Sequence, residues 1–182
     1  MQISMGAENL RFETRRLVVN PLTTRTGTSD PGQAGFAKDI ADILTPVVLE
    51  HLPEPLQMPD APDPVESWVR ARQAESVLYA VRTADSDAII GLMILADTSE
   101  LDATPTLRLG YLFSQSVWGQ GYASELVMGL IKALGENSWC GQVLAGVTRA
   151  NPASSRVLLK CGFVEVPDAS DQESRKFKAN LA

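Results

Sequence analysis

Residues Tyr111–Leu134 read YLFSQSVWGQGYASELVMGLIKAL. A strand ends near Phe113, a glycine-containing turn occupies Trp118–Ala123, and Ala123, Leu126, Val127, Leu130, Ile131 and Leu134 then recur at helical spacing. Gly119 and Gly121 let successive N–H groups converge on one concavity. The start of the following helix adds unpaired donors and the positive end of its dipole. Such a nest binds a pyrophosphate without needing Lys or Arg. A G-x-G pair serves a plain strand-to-helix turn equally well, so this segment alone leaves both readings open.

Downstream, Val147–Phe163 reads VTRANPASSRVLLKCGF. A strand ends near Thr148, Asn151 suits the N-cap, Pro152 the first helical position, and Gly162 is placed to close the helix. Asn151 is explicable as a cap, and its side chain also suits hydrogen bonding to an amide-containing ligand between diverging strands. Ser154 and Ser155 fall in the first turn, near the strand end where ligands of open α/β sheets bind.

Upstream, Arg16–Leu22 reads as a first strand and TTRTGTSDPGQ after it as a loop. Ala37, Ile40, Ala41 and Leu44 predict a helix from about Gln33 to Leu44, and a second short helix can begin at Pro46. Five prolines between residues 53 and 64 predict a stiff, extended connection. Asp63, Pro64 and Glu66 then form an acidic variant of a capping box, with Val65, Trp68 and Val69 on the buried side. SVLYAVR, the turn TADSD and AIIGLMILA predict a hairpin, with TLRLGYLF as the next strand. Helix (Tyr122–Leu134), strand (Val143–Val147), helix (Ala153–Cys161) and strand (Phe163–Val166) follow, with a final strand in Arg175–Asn180. The expected fold is mixed α/β: a mostly antiparallel twisted sheet of six to seven strands with helices on both faces.

The 182 residues, 45% of them apolar, suit a single domain over residues 1–182. Sixteen basic against 22 acidic residues give a formal charge of −6, which argues against nucleic-acid and anionic-membrane partners and suits an amine-bearing partner slightly better. Cys140 and Cys161 form no C-x-x-C pair and read as free thiols of a reducing compartment. With His51 the lone histidine, no zinc or other metal site is expected. The opening MQISMGAENLRFETRR has no apolar signal region, and no run approaches the roughly 18 apolar residues of a membrane span, so a cytoplasmic protein is expected.

Taken together, WGQGYASE and NPASSRVLLKCGF resemble the phosphate loop and the N-x-x-S-x-x-V-x-x-K-x-G-F segment of the GNAT acyltransferases. The likeness is strongest to the branch of Rim-type ribosomal-protein N-terminal acetyltransferases. ETRRLVVNPLT is similar to that branch's E-T-x-R-L first strand, so the resemblance spans Glu13 to about Val166. It implies a GNAT fold whose strands containing Tyr111 and Val147 splay apart to admit acetyl-CoA, with an amine as acceptor and a monomer or homodimer as the assembly. It implies pyrophosphate binding along Trp118, Gly119, Gln120, Gly121, Tyr122 and Ala123. Asn151 and Ser154 would meet the pantetheine arm, and backbone amides of Tyr111, Leu112 and Phe113 would hold the arm and polarise the thioester carbonyl.

Two departures from the family pattern bear on proton transfer. Leu158 stands where many members carry a tyrosine acid, which leaves Ser154 as the catalytic candidate. Arg108 stands where a glutamate is common, leaving His51, Asp97, Glu100 or a water chain as the base. Trp118, Tyr111 and Trp68 also read as packing residues, and Arg156 and Lys160 as a solvated helix face within reach of a coenzyme phosphate. The expectation is an acetyl-CoA-dependent N-acetyltransferase. The alternatives are a non-catalytic acyl-CoA-binding module and a degenerate dinucleotide fingerprint at Gly119–Ser124, weak because Ser124 replaces the third glycine.

Overall fold

Alternating apolar side chains sort the strands between two cores, one on each face of a single sheet. The computed structural model describes residues 10–22, 38–86, 88–99 and 103–182. In chain order these form β1 (Phe12–Glu13), β2 (Leu17–Pro21), a helix over residues 38–43 (α1), α2 (Pro46–Leu49), α3 (Pro64–Glu75), β3 (Val77–Thr83), β4 (Ile89–Asp97) and β5 (Thr106–Phe113). There follow α4 (Tyr122–Glu136), β6 (Gly141–Thr148), α5 (Pro152–Lys160), β7 (Val164–Glu165) and β8 (Ser174–Leu181).

The described residues form an eight-stranded sheet in the order β1-β2-β3-β4-β5-β6-β8-β7. Every pair is antiparallel except β5–β6. Eight strands exceed the six to seven expected, because β1 is only two residues long and too short to show a period, whereas β7 falls inside the strand expected at Phe163–Val166. β4 has helices on both sides: Met93 and Leu95 join α4's Leu126, Val127 and Leu130, while Leu92 and Ile94 join Ile40 of α1, Val48 of α2 and Trp68 of α3.

Most expected elements lie within a residue or two of their expected bounds. The loop and helix start expected at 23–37 lie outside the described residues. Two local expectations need correction. The proline-rich connection is not uniformly extended: Glu54–Leu56 makes a 3₁₀ turn, gripped by Trp68 Nε1 donating to the Leu56 carbonyl at 2.9 Å and by Arg72 donating to the Pro55 carbonyl. Asp63 does occupy the N-cap of α3, but its side chain accepts no capping bond. Glu66 instead faces Arg70 at 3.7 Å on the exposed side.

The end of α5 is as expected. Gly162, at φ +87°, follows the last turn, Phe163 N donates to Leu158 O at 3.1 Å and Gly162 N to Leu159 O at 3.2 Å. This is a Schellman closure, with Leu158 and Phe163 both buried at its apolar contact. Gly129, inside α4, lets β1 approach: a Cβ there would lie 2.6 Å from Thr14 Cγ2. Only a missing side chain permits that spacing, and it offsets the roughly 1 kcal/mol that a helical glycine costs.

Candidate active site

The parallel β5–β6 ladder runs from Thr106↔Gln142 to Leu109↔Ala145 and stops there, although β5 continues to Phe113 and β6 to Thr148. Each strand keeps its outer partner to the end, with Phe113 opposite Gly91 and Thr148 opposite Ser174. The two strands therefore part in mid-sheet. Alternate N–H and C=O groups on β5's inner side, between Gly110 and Phe113, are left facing the gap.

The phosphate-loop candidate closes one end of this gap. Trp118 Nε1 donates to the Phe113 carbonyl at 2.8 Å, folding the turn back onto β5. Gly119 and Gly121 take φ of +75° and +81°, the left-handed region that glycine enters without strain. Gly121 is the N-cap of α4 and supplies no side-chain cap, so the first-turn amides point outward without a side-chain acceptor at the positive end of the helix.

Arg16 holds the loop from outside. Its Nε donates to Glu125 Oε2 at 2.6 Å, its Nη1 to the Gln120 carbonyl at 3.1 Å, and its guanidinium lies 4.2 Å from the Tyr122 ring centroid. Glu125 also accepts from Thr14 Oγ1 at 2.7 Å and from the Arg16 backbone N–H at 2.8 Å. Burial alone would raise the Glu125 pKa, but the hydrogen bonds from Thr14 and Arg16 outweigh it and hold the carboxyl below its ordinary value.

Across the gap, Asn151 caps α5, its Oδ1 accepting from Ser154 N at 3.0 Å. Among the described residues its Nδ2 is left as a free donor, beside one remaining acceptor site on Oδ1. Ser154 Oγ lies 2.8 Å from Tyr111 Oη, a hydrogen bond that straps α5 to β5 where β6 has moved away. Burial pushes the Tyr111 phenol up to about 12, with the Ser154 bond opposing part of the rise, so Tyr111 is protonated at neutral pH.

These groups surround one cavity of ≈ 380 Å³. Tyr111, Leu112, Phe113, Trp118, Gly119, Gly121, Tyr122, Ala123, Asn151 and Ser154 all line it. Gln120 does not: its carbonyl faces Arg16 and its Nε2 donates to the Ser116 carbonyl at 3.2 Å. Of the three candidate bases, His51 lines the cavity, joined by Val48 and Leu52. Asp97 stands at the far end of β4 opposite Leu107, accepting from Ser99 N at 2.9 Å, and Glu100 lies outside the described residues.

Leu158 is fully buried in the core, so no polar group can act from that position. Arg108 is exposed on β5 beside Ala96 and Leu144, while Arg156 and Lys160 are exposed on α5, all three away from the cavity lining. Two features escaped the sequence reading. The Tyr111 hydroxyl was masked by its apolar strand context. The Arg16–Glu125 clamp had only the presence of both charges in matching motifs as a signal.

Among the described residues no helix is long and apolar enough to cross a membrane, and no group of three or more His, Cys, Asp or Glu is assembled. One parallel pair in an otherwise antiparallel described sheet is also not the parallel doubly wound sheet that a dinucleotide fingerprint requires.

No curated protein matches the sequence. Solved structures do match the fold. An acetyltransferase of the GNAT family from Bacillus anthracis is 14% identical with a TM-score of 0.69, over 93% of this chain and 98% of the other. An acetyltransferase from Agrobacterium tumefaciens is 19% identical with a TM-score of 0.66, over 100% and 98%. A ribosomal-protein-S5-alanine acetyltransferase from Vibrio fischeri is 15% identical with a TM-score of 0.63, over 94% and 97%. The family profile described as acetyltransferase (GNAT) domain matches residues 35–164 and so takes in both the loop and the Asn151–Ser154 turn. With that match laid over parted strands, a glycine-built amide nest and a capped helix opposite, the chain belongs to the GNAT acetyltransferase family.

Proposed function

We propose that the chain transfers the acetyl group of acetyl-CoA to a primary amine, by direct attack within a ternary complex. The observation that carries this reading is the alignment along one cavity of the amide nest, the unpaired inner edge of β5 and the Tyr111–Ser154 hydroxyl pair. A pyrophosphate fits the N–H groups of Gly119, Gly121, Tyr122 and Ala123. The donor Nδ2 of Asn151 suits a pantetheine carbonyl. An N–H on the inner edge of β5 suits the thioester oxygen, whose charge grows as the amine attacks, so a fixed donor there favours the transition state over the ground state.

Ser154 is our candidate for the group that protonates the departing thiolate. Tyr111, held neutral by burial, can donate to Ser154 Oγ and so leave the serine proton free for the sulfur. The acceptor is a small-molecule amine or a protein N-terminus, met in the cytoplasm, where the free thiols of Cys140 and Cys161 would stay reduced. The exposed Arg108 and core-filling Leu158 favour a second reading, a module that holds acyl-CoA without turnover.

The test combines acetyl-CoA with a panel of amino-acid amides, spermidine and peptides beginning in Ser or Ala, and reads free thiol. Thermal stabilisation by acetyl-CoA with thiol release for at least one amine is expected. Stabilisation with no release leaves the binding-module reading. No stabilisation at all removes the loop as a coenzyme site. Ser154→Ala should cut kcat about tenfold, at the low end of acid–base contributions because a thiolate leaves readily, with little change in coenzyme Kd. An unchanged kcat would return Ser154 to its place beside the helix cap.

A further inference from the structure

His51 lies just past Glu50, the C-cap of α2, and its backbone is held on both sides. Its N–H donates to Val48 O at 3.3 Å and its carbonyl accepts from Thr148 Oγ1 at 3.4 Å. The second bond ties the end of α2 to the end of β6, beside the gap. The imidazole ring lies 5.7 Å from that of Trp118, tilted by 50°, and the residue lines the same cavity as Ser154 and Tyr111. Its Nδ1 is buried and has no hydrogen-bond partner among the described residues. Buried polar atoms are nearly always satisfied, so no described residue holds this imidazole through Nδ1 as a structural histidine would be held; with Nδ1 shut away from the cavity, Nε2 is the nitrogen left to meet a ligand.

The chemistry of the lining isolates the same residue. The other polar side chains around the cavity are the hydroxyls of Tyr111, Tyr122, Ser124 and Ser154, the amide of Asn151 and the indole of Trp118. Among the described lining residues there is no carboxylate, lysine or arginine. Neutral hydroxyls, amides and indoles do not take up protons near pH 7, whereas an imidazole does.

We propose that His51 is the base that takes the proton of the attacking amine, an assignment that rests on the amine-acetylating reading above. The acceptor's ammonium gives one proton to the imidazole, and the freed lone pair attacks the thioester carbon. The C–N bond forms and the C–S bond breaks. The nitrogen then sheds its second proton, the thiolate gains one at the Ser154 side, and His51 returns its proton to solvent. Ammonium and thioester thus become amide, thiol and one free proton.

The experiment compares the parent with His51→Gln, using the panel amine that the parent turns over fastest and, beside it, hydroxylamine, which is already neutral at pH 7. With the panel amine at pH 7, kcat/KM should fall about 100-fold, the low end of general-base contributions. The loss should shrink below tenfold with hydroxylamine and narrow as pH rises, while the acetyl-CoA thermal shift stays the same. Equal rates, or one uniform loss for both nucleophiles at every pH, would overturn the assignment, because a merely structural role gives the latter.

The parent provides a check independent of folding in the variant. His51 is the sole histidine, so its imidazole NMR signal titrates alone. Its midpoint should coincide with the acidic limb of the kcat/KM profile, and a clear mismatch would overturn the role. If the parent turns over no amine of the panel, the acetyl-transfer reading itself falls and the role falls with it. If the parent is active and only the His51 tests fail, that reading stands and His51 alone is removed.

Discussion

Arg16→Ala removes three side-chain contacts at and beside the phosphate loop: the ion pair to Glu125 of α4, the bond to the Gln120 carbonyl and the guanidinium stack on Tyr122. A hydrogen-bonded charge pair of this kind is worth about 1.5–3 kcal/mol when sheltered. The Arg16 side chain is 37% exposed, so about 1 kcal/mol is the better figure after solvent screening. The carbonyl bond and the cation–π contact add about 0.5 kcal/mol each. A total near 2 kcal/mol corresponds to a fall of roughly 4–8 °C in Tm for a chain of this size.

Two of the lost contacts land on the loop itself, so part of the loss should also appear as weaker CoA binding. One kcal/mol of loop ordering is about a fivefold change in Kd. Differential scanning fluorimetry and calorimetric titration with CoA measure the two quantities separately. A double-mutant cycle with Glu125→Gln should show a coupling of about 1 kcal/mol. Arg16→Lys should fall between parent and alanine, since one ammonium cannot serve Glu125, the Gln120 carbonyl and the ring together. An additive cycle, or a lowered Tm with an unchanged Kd, would refute the clamp as an organiser of the loop.

Gly121→Asn and Gly121→Asp place nearly identical side chains at φ +81°, and both residue types tolerate the left-handed region. They differ by one charge, which about 5 Å from a phosphate at an effective dielectric of about 40 costs about 1.7 kcal/mol, so the Asp variant should bind CoA about 20-fold more weakly than the Asn variant. Equal affinities by calorimetry would move the pyrophosphate elsewhere. Acid should also loosen the clamp. Because the folded pKa of Glu125 is depressed, its stabilising contribution is present above the unfolded value of about 4.3 and is lost as pH falls through the lowered folded value. The parent should therefore lose more Tm than Glu125→Gln between about pH 5 and pH 2, and parallel profiles would count against the argument.

What was legible in the sequence followed local rules. The turn at Trp118–Ala123 and the closure at Gly162 are written in glycines whose positive φ no neighbouring context can disguise. The hairpin of β3 and β4 is written in its period, and Leu158 and Arg108 were visible as departures because a motif supplies fixed positions. What escaped is long-range. Arg16 and Glu125 are separated by 109 residues, and no spacing rule joins them. Tyr111 sits among apolar strand residues, where a phenol reads as packing until the helix carrying Ser154 is laid across it. The Asp63–Glu66 box failed for a related reason: its residue types suit a capping box, but Glu66 turns to the exposed face and pairs with Arg70.

The position of β8 has a consequence for how the molecule is assembled during synthesis. Gly141–Thr148 of β6 pair with β8 along their whole length, and β7 also finds its partner there. A ribosome has therefore already delivered the cavity walls, Tyr111 and Ser154 included, while Ser174–Leu181 is still to come. Until then β6 presents a row of unsatisfied amides on the side away from β5, the kind of edge that recruits another chain. Nascent protein should consequently be most prone to aggregate in the interval before residue 174 emerges. Truncation within β8 should lower soluble yield far more than its distance from the cavity would suggest.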